Sequence, residues 1–312
     1  MSQIEGALPS VRTNLPRSTL VRGAERTGLL LIAPWLLGLL LFKLLPILAS
    51  LAISFTNFNM LHPEATQFIW LDNYLRFFHD GVAGFVLFAT IAIAVGTIPL
   101  QILASLGLAA LLNTQLLKGR TWLRTLFFLP SIIPSIAITF MWFGFTDPNT
   151  GWLVRFILEP LGLGENRLFT EGAAGFLFAI SSLWSIGPGM LIMLGAMQSV
   201  SAEMVEAARV DGAGPFVRFF SIILPLISPA VFFALIINLI AVFGGVVLLD
   251  RGTTFGGGSS PYDGYLSIQM FTRLDLGYAA TLAWIFFILV IAVTVALFRS
   301  ARRWVFYADA ED

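Results

Sequence analysis

The sequence predicts an all-α polytopic membrane protein with six transmembrane helices, on three observations. Of the 312 residues, 57% are hydrophobic and only 12% charged, with a mean hydropathy of +0.87. Soluble domains carry about 25% charge, so this chain has too little to wet a water-facing surface. The few charges leave six long windows nearly free of them. The basic residues that border those windows are shared unequally between the two faces that six crossings create.

The same arithmetic excludes several classes. A chain with 29 Phe and 8 Trp has the opposite of a disordered composition. Eighteen basic and 18 acidic residues cancel, which removes any global attraction to nucleic acid. There is no Cys, hence no disulfide, thiolate metal site or cysteine nucleophile.

Taken in order, the windows run from Arg26 to Glu64 (interrupted only by Lys43), Asp80 to Lys118, Arg124 to Asp147, Glu171 to Glu203, Arg218 to Asp250 and Asp275 to Arg299. Each holds the ~20 apolar residues that a helix needs to cross the hydrocarbon core. The expected spans are 29–55, 84–112, 125–146, 174–197, 226–249 and 277–298. The third is tight, and the second is long enough to tilt or to extend past the bilayer. The first could be taken for a signal peptide. Its apolar run is roughly twice the usual h-region and has no small-residue cleavage site, so it is read as a retained helix. The implied organisation is an N-terminal arm (1–27), a first helix (28–56), a five-helix domain (80–299) and a C-terminal tail (300–312).

Six crossings put both termini on one side. That side carries Arg12, Arg17, Arg22, Arg26, Lys118, Arg120, Arg124, Arg209, Arg218, Arg299, Arg302 and Arg303. The other has Arg76, Arg155, Arg167, Arg251 and Arg273. The basic-rich face is expected to be cytoplasmic, as are both termini. Trp122 and Trp304 beside it, and Trp70 and Trp152 opposite, suit interfacial belts.

The chemistry that is missing narrows the function. His62 and His79, the only histidines, fall in the first outside loop. No GxxxxGK[ST] occurs, so the chain is not expected to bind ATP through a P-loop. No Asp or Glu lies within a span, whereas proton- and sodium-coupled carriers keep such groups in the membrane. Lys43 is read as a side chain snorkelling past Pro46 to the outer interface, with a pathway-lining cation as the other reading. The spans are instead softened by Pro130, Ser131, Pro134, Ser135, Ser181, Ser182, Ser185, Gly187-Pro188-Gly189, Pro225, Ser228 and Pro229. Such residues are tolerated where helices pack closely or line a watery cavity. A neutral polar lining suits an uncharged, hydroxylated solute. Ser185 and Asn238, the latter near the middle of the fifth span, are the candidate pathway residues, with interhelical hydrogen bonding as their alternative role. No cofactor is expected in this chain, and nothing in it supplies energy. A partner is implied.

The loop between the fourth and fifth spans carries the sharpest signal. Ser199 or Ser201 can cap a helix, and Glu203 then lies in its first turn, where the macrodipole favours an anion. Met204, Ala207 and Ala208 form a small apolar stripe that another surface could approach closely. Gly212 can end the helix in a left-handed conformation and Pro215 can open the next one. Glu206-Ala207-Ala208, Gly212, Ile222, Leu224 and Pro225 match the EAA signature of ABC-importer permeases, EAA-x3-G-x9-I-x-L-P, at every position, and Asp211-Gly212-Ala213 matches its common DGA form.

The chain thus resembles the permease subunits of bacterial carbohydrate ABC importers, of the maltose-permease F type. Leu45-Pro46, Ser54-Phe55-Thr56-Asn57 and Leu71-Asp72-Asn73-Tyr74 extend the resemblance toward the N-terminus. Gly119-Arg120 with Arg124, Leu129-Pro130, Asp147–Gly151, Gly256-Gly257 and Leu276–Ala280 extend it through the rest. A long extracytoplasmic insertion, found in larger members after the early spans, is absent.

This resemblance implies the type I importer permease fold in a bacterial inner membrane. It implies a coupling helix seated in a cleft of a cytoplasmic ATPase, with Glu206 making a polar contact and Ala207 and Ala208 allowing close approach. Gly212 would shape the turn, Asp211 would belong to the same ATPase-coupling set, and Ile222, Leu224 and Pro225 would complete the motif as structural residues. The implied partners are a second homologous permease, two copies of the ATPase, an extracytoplasmic solute-binding protein and a sugar or oligosaccharide. A stand-alone facilitator or secondary carrier for a neutral polar solute is the alternative from the residues themselves. An intramembrane enzyme lacks any His, Cys, Asp or Glu within the spans.

Overall fold

The computed structural model describes residues 28, 30–114, 117–146, 151–162, 183–184, 186–243 and 260–306. It divides into two units, Met1–Ala52 and Ile53–Asp312. The described part of the first is most of α1 (Leu30–Ser54), an apolar helix in which nothing before Ser54 is buried. It contains a π turn at Leu40–Leu44 that carries the exposed Lys43. Pro46, which has no N–H to give the carbonyl of Phe42, lies two residues past the end of that turn.

The described residues of the second unit are mostly helical. Among the described residues, β pairing is limited to the isolated antiparallel bridges Thr56–Phe68 and Asn59–Asp275. After the short α2 (Asp72–His79) comes α3 (Gly81–Asn113), 33 residues long. At 1.5 Å per residue it spans about 50 Å. Asp80 caps it, its Oδ1 accepting the N–H groups of Val82 at 3.0 Å and Ala83 at 3.1 Å. Then follow α4 (Arg120–Phe128), a 3₁₀ turn (Leu129–Ile132), α5 (Ser135–Thr146), α6 (Gly187–Gln198) and α7 (Ala202–Val210). The rest are α8 (Pro215–Leu226), α9 (Ser228–Phe243), α10 (Pro261–Ser267) and α11 (Leu276–Ala301).

Among the described residues, three helices are each long and apolar enough to cross a membrane: α1, α3 and α11. They coincide with the expected first, second and sixth spans. The described part of the expected fifth span is α9, and a separate helix, α8, runs into it from Pro215. The two meet at 67°. The third is in two pieces, α4 and α5. Pro134 cannot donate to the carbonyl of Pro130, which instead receives Ile133 N–H at 3.2 Å in a tighter turn. Of the fourth, the described part is essentially α6. Three unbroken spans, or four with the bent pair, are therefore what the described residues display against an expectation of six.

α3 is the strut on which the unit is assembled. Near its Asn113 end, Leu106, Ala109 and Leu112 pack with Met190, Met193, Leu194 and Met197 of α6, and with Ile227 and Ala234. Midway, Ala94 and Ile98 pack on Leu239 of α9. At its start, Ala83 joins Phe77 of α2, Tyr262 of α10, and Tyr278, Leu282 and Phe286 of α11. Two glycines permit the closest approaches. A Cβ on Gly187 would overlap the carbonyl oxygen of Phe127, and one on Gly277 that of Thr56.

Polar contacts fasten the Asp80 end. Asp80 Oδ2 accepts the hydroxyls of Tyr265 at 2.5 Å and Tyr278 at 2.8 Å. Arg76 lies over the Tyr278 ring, 3.9 Å from its centroid, and donates to Asp275 Oδ2 at 2.8 Å. Asn73 Nδ2 donates to the carbonyls of Ser54 at 3.0 Å and Thr56 at 2.8 Å. Partial burial pushes the Asp80 carboxyl up, but hydrogen bonds from Tyr265, Tyr278, Ala83 and Val82 outweigh it and hold it below the usual carboxylate value.

Candidate functional site

The EAA residues form a helix of their own, α7, set between α6 and α8. Its start differs from expectation. Ser201 occupies the cap position, but its side chain makes no cap bond. Ser199 instead closes the preceding helix, donating Oγ–H to the carbonyl of Ala196 at 2.8 Å. That carbonyl belongs to the last turn of α6, whose acceptors have no further helical donor to meet. Glu203 does lie in the first turn of α7.

The end of α7 is as expected and more fully bonded. Ala213 N–H reaches back to the carbonyl of Ala208 at 2.9 Å, and Gly212 N–H to that of Arg209 at 3.2 Å. This pair is the Schellman pattern, in which the residue just past the helix takes a left-handed conformation. Gly212 has φ +84°. A Cβ there would meet no atom within 4 Å, so the backbone angle rather than crowding is what favours glycine. Glu203, Glu206, Ala207, Arg209 and Asp211 are exposed, and Ala208 is half-buried. The motif residues are thus presented outward on a short, closed helix.

The second half of the motif shapes the junction with α9. Ile222 lies in a π turn (Phe219–Ile223), and Leu224 packs beside the α3–α6 core. Pro225 and Pro229 are four residues apart, so Pro229 has no N–H for the carbonyl of Pro225. Ser228 Oγ donates to that carbonyl at 2.6 Å and accepts Phe306 N–H at 2.9 Å. The buried Ile227 sits at the bend itself. Val305 and Ala301 pack on Phe232 of α9, which fastens the chain after α11 to the same junction.

Of the two candidate pathway residues, Ser185 lies outside the described residues. Asn238 is half-buried on α9, and its Nδ2 donates to the carbonyl of Ala234 at 2.8 Å, one turn back in its own helix. Sequence reasoning missed the polar groups of α3. Thr90 Oγ1 accepts Tyr262 N–H at 3.1 Å, and Ser105 Oγ donates to the carbonyl of Ile186 at 3.2 Å. Both are buried and join α3 to its neighbours. Their signal was in plain sight as isolated hydroxyls in an otherwise apolar helix. Gln269 was missed too. It is fully buried, and its amide atoms have no hydrogen-bond partner among the described residues.

Comparison with known proteins places these features in context. Residues 101–305 match the family described as binding-protein-dependent transport system inner membrane component. The chain is 32% identical over 311 residues to the probable ABC transporter permease protein YesP of Bacillus subtilis (strain 168), covering 96% of this chain and 97% of that one. It is 34% identical over 249 residues to the sn-glycerol-3-phosphate transport system permease protein UgpA of Yersinia pestis bv. Antiqua (strain Antiqua), covering 78% and 83%. A crystal structure of a bacterial alginate ABC transporter, in complex with an alginate pentasaccharide-bound periplasmic protein, contains a chain with the same fold. Its TM-score is 0.75 at 19% identity, over 92% of this chain and 98% of that one.

Proposed function

The chain belongs to the family of binding-protein-dependent transport system inner membrane components, and from that premise we propose that it is one permease subunit of an ABC importer for a sugar or oligosaccharide. The observation that carries this reading is α7. A motif of small and charged residues, closed at its end by Gly212, is displayed outward between two core-packed helices.

In this reading the chain crosses the inner membrane six times with both termini in the cytoplasm, and residues 80–299 form the transport domain. It works with a second, homologous permease, two copies of an ATPase and an extracytoplasmic binding protein. α7 is the coupling helix. Glu206 makes the polar contact to the ATPase cleft, Ala207 and Ala208 allow it to seat closely, and Asp211 and Gly212 set its turn. When the ATPases close on ATP, they push α7. The Ile222, Leu224 and Pro225 segment carries that displacement through the 67° junction into α9, where Asn238 faces the solute path together with Ser185. The lack of any acidic residue in the spans supports an external energy source.

Replacing Glu206 by Ala, or Gly212 by Val, is expected to abolish ATP-driven uptake while the protein remains in the membrane. Wild-type uptake in both variants would overturn the coupling role. A stand-alone carrier would transport in proteoliposomes without any ATPase, where this reading expects none. The solute is tested by thermal-shift screening of the cognate binding protein against neutral sugars, sn-glycerol 3-phosphate and acidic oligosaccharides. A response confined to the charged compounds would overturn the uncharged-sugar assignment.

A further inference from the structure

α7 and α8 are consecutive short helices that differ in exposed charge. In nine residues α7 exposes Glu203, Glu206 and Arg209 along with Met204 and Val210. α8 carries one charge, Arg218, and that side chain is half-buried. One side of α8 is packed, with Phe219, Ile223 and Leu224 against the α3–α6 core. The other side presents Phe216, 79% exposed, with Val217 and Phe220, 54% and 59% exposed. Phe216 and Phe220 are four residues apart and so share a face.

α9 carries an exposed apolar stripe of its own, Phe233, Ile237 and Ile240 at helical spacing. In an inner-membrane family a helix like α9 meets hydrocarbon along such a stripe. The 67° bend then lays α8 closer to the membrane plane than to its normal. α4 repeats the arrangement, with Leu123 packed on the same core and Trp122 exposed.

We propose that α8 is an interfacial helix, with Phe216, Val217 and Phe220 inserted at the boundary between headgroups and acyl chains of the leaflet that α7 faces. Its occupant is phospholipid rather than protein. An amphipathic segment of this kind binds through its buried apolar area while its polar side stays at headgroup level. The consequence is mechanical: α8 holds α7 at a fixed height beneath the bilayer, so that a push on α7 turns α9 instead of sinking α8 into the lipid.

The inference goes beyond the importer reading and is measured separately from it. The chain has no cysteine, so single-cysteine variants can be spin-labelled without background. Phe216→Cys, Phe220→Cys and Glu206→Cys would be labelled in the full chain, purified with its transporter partners in phospholipid nanodiscs. Collisions with oxygen, which partitions into lipid, are compared with those of a water-soluble nickel chelate. Labels at 216 and 220 are expected to favour oxygen several-fold over the label at 206, with or without the ATPase subunits. Equal access of the nickel chelate to all three positions would overturn the proposal. So would protection at 216 and 220 that appears only when the ATPase is bound, since that assigns the surface to protein. A failed coupling role shows in uptake, not in these accessibilities.

Discussion

Tyr278 donates its hydroxyl to Asp80 Oδ2 at 2.8 Å, joining residues 198 positions apart. Asp80 caps α3, Tyr278 lies in the first turn of α11, and Tyr265 of α10 donates to the same oxygen. One carboxylate therefore ties three helix ends. Hydrogen bonds to a charged group are worth about 1.5–3 kcal/mol. Tyr278→Phe is expected to lower stability by that order, measured by thermal unfolding in detergent, and Asp80→Ala by more because it also removes the cap. Tyr265→Phe combined with Tyr278→Phe is expected to be non-additive, since both donors share one oxygen.

Acidification should act on this end in a defined direction. The Asp80 carboxyl is held below its ordinary value of 3.8 in the fold. The stability it contributes is present above that value and is lost as the pH falls through the lower folded one. Asp80→Asn should flatten the acid limb of a pH–melting-temperature curve. An unchanged limb would mean that other carboxylates govern it.

Asp263 predicts the opposite slope. Burial pushes its carboxyl up to about 6, although hydrogen bonds from the backbone and side chain of Ser260 pull against that. Between about 4 and 6 the folded chain binds this proton more tightly than the unfolded one. Its ionisation therefore costs stability as pH rises through that window. Asp263→Asn keeps an acceptor for Ser260 N–H, which lies 3.3 Å from Oδ2. It should abolish the corresponding fall in melting temperature between pH 4.5 and 7.

Two glycines of one helix should respond differently to the same substitution. A Cβ on Gly187 would overlap the Phe127 carbonyl and fall 2.8 Å from Phe128 Cα. Gly187→Ala is therefore expected to cost about 1–3 kcal/mol as α6 is forced off α4. Gly195 has nothing within 4 Å of a Cβ. Gly195→Ala is expected to be neutral or to stabilise by up to ~1 kcal/mol through helix propensity. Paired melting curves check both.

At Gly212 the expected penalty is conformational. Gly212→Ala should cost about 1–2 kcal/mol for a left-handed L-residue, and Gly212→Asn less, because asparagine tolerates that region. Hydrogen exchange at Gly212 and Ala213, whose N–H groups close the helix, should quicken in the order Gly, Asn, Ala.

The parts of this chain that were legible in sequence are those written in neighbouring residues. Windows nearly free of charge located α1, α3 and α11, because desolvating a charge in hydrocarbon is costly wherever it occurs. Gly212 and Pro215 announced the end of α7 and the start of α8, because backbone angle and a missing N–H are local properties. Of the two expected caps, Ser201 holds the cap position without a side-chain bond, while Ser199 turns back to an acceptor in the last turn of α6. Pro225, Ser228 and Pro229 announced a break before α9, but its 67° angle was not legible, because apolar content and prolines do not report direction. That direction depends on where Ile227 is buried and on Phe306 reaching Ser228 from the far end of the chain.

By itself the sequence determined a membrane-embedded helical chain, the motif spacing and the residues that end α7. Only the tertiary structure decided that α3 carries successive packing clusters along its length. Asp80 found its partners 185 and 198 residues away, and the motif stands outward on a closed helix beside an apolar one. Solvation and backbone preference act residue by residue and can be read along the chain. Packing partners are chosen by shape and by unsatisfied donors across the whole fold, and they appear once distant segments meet.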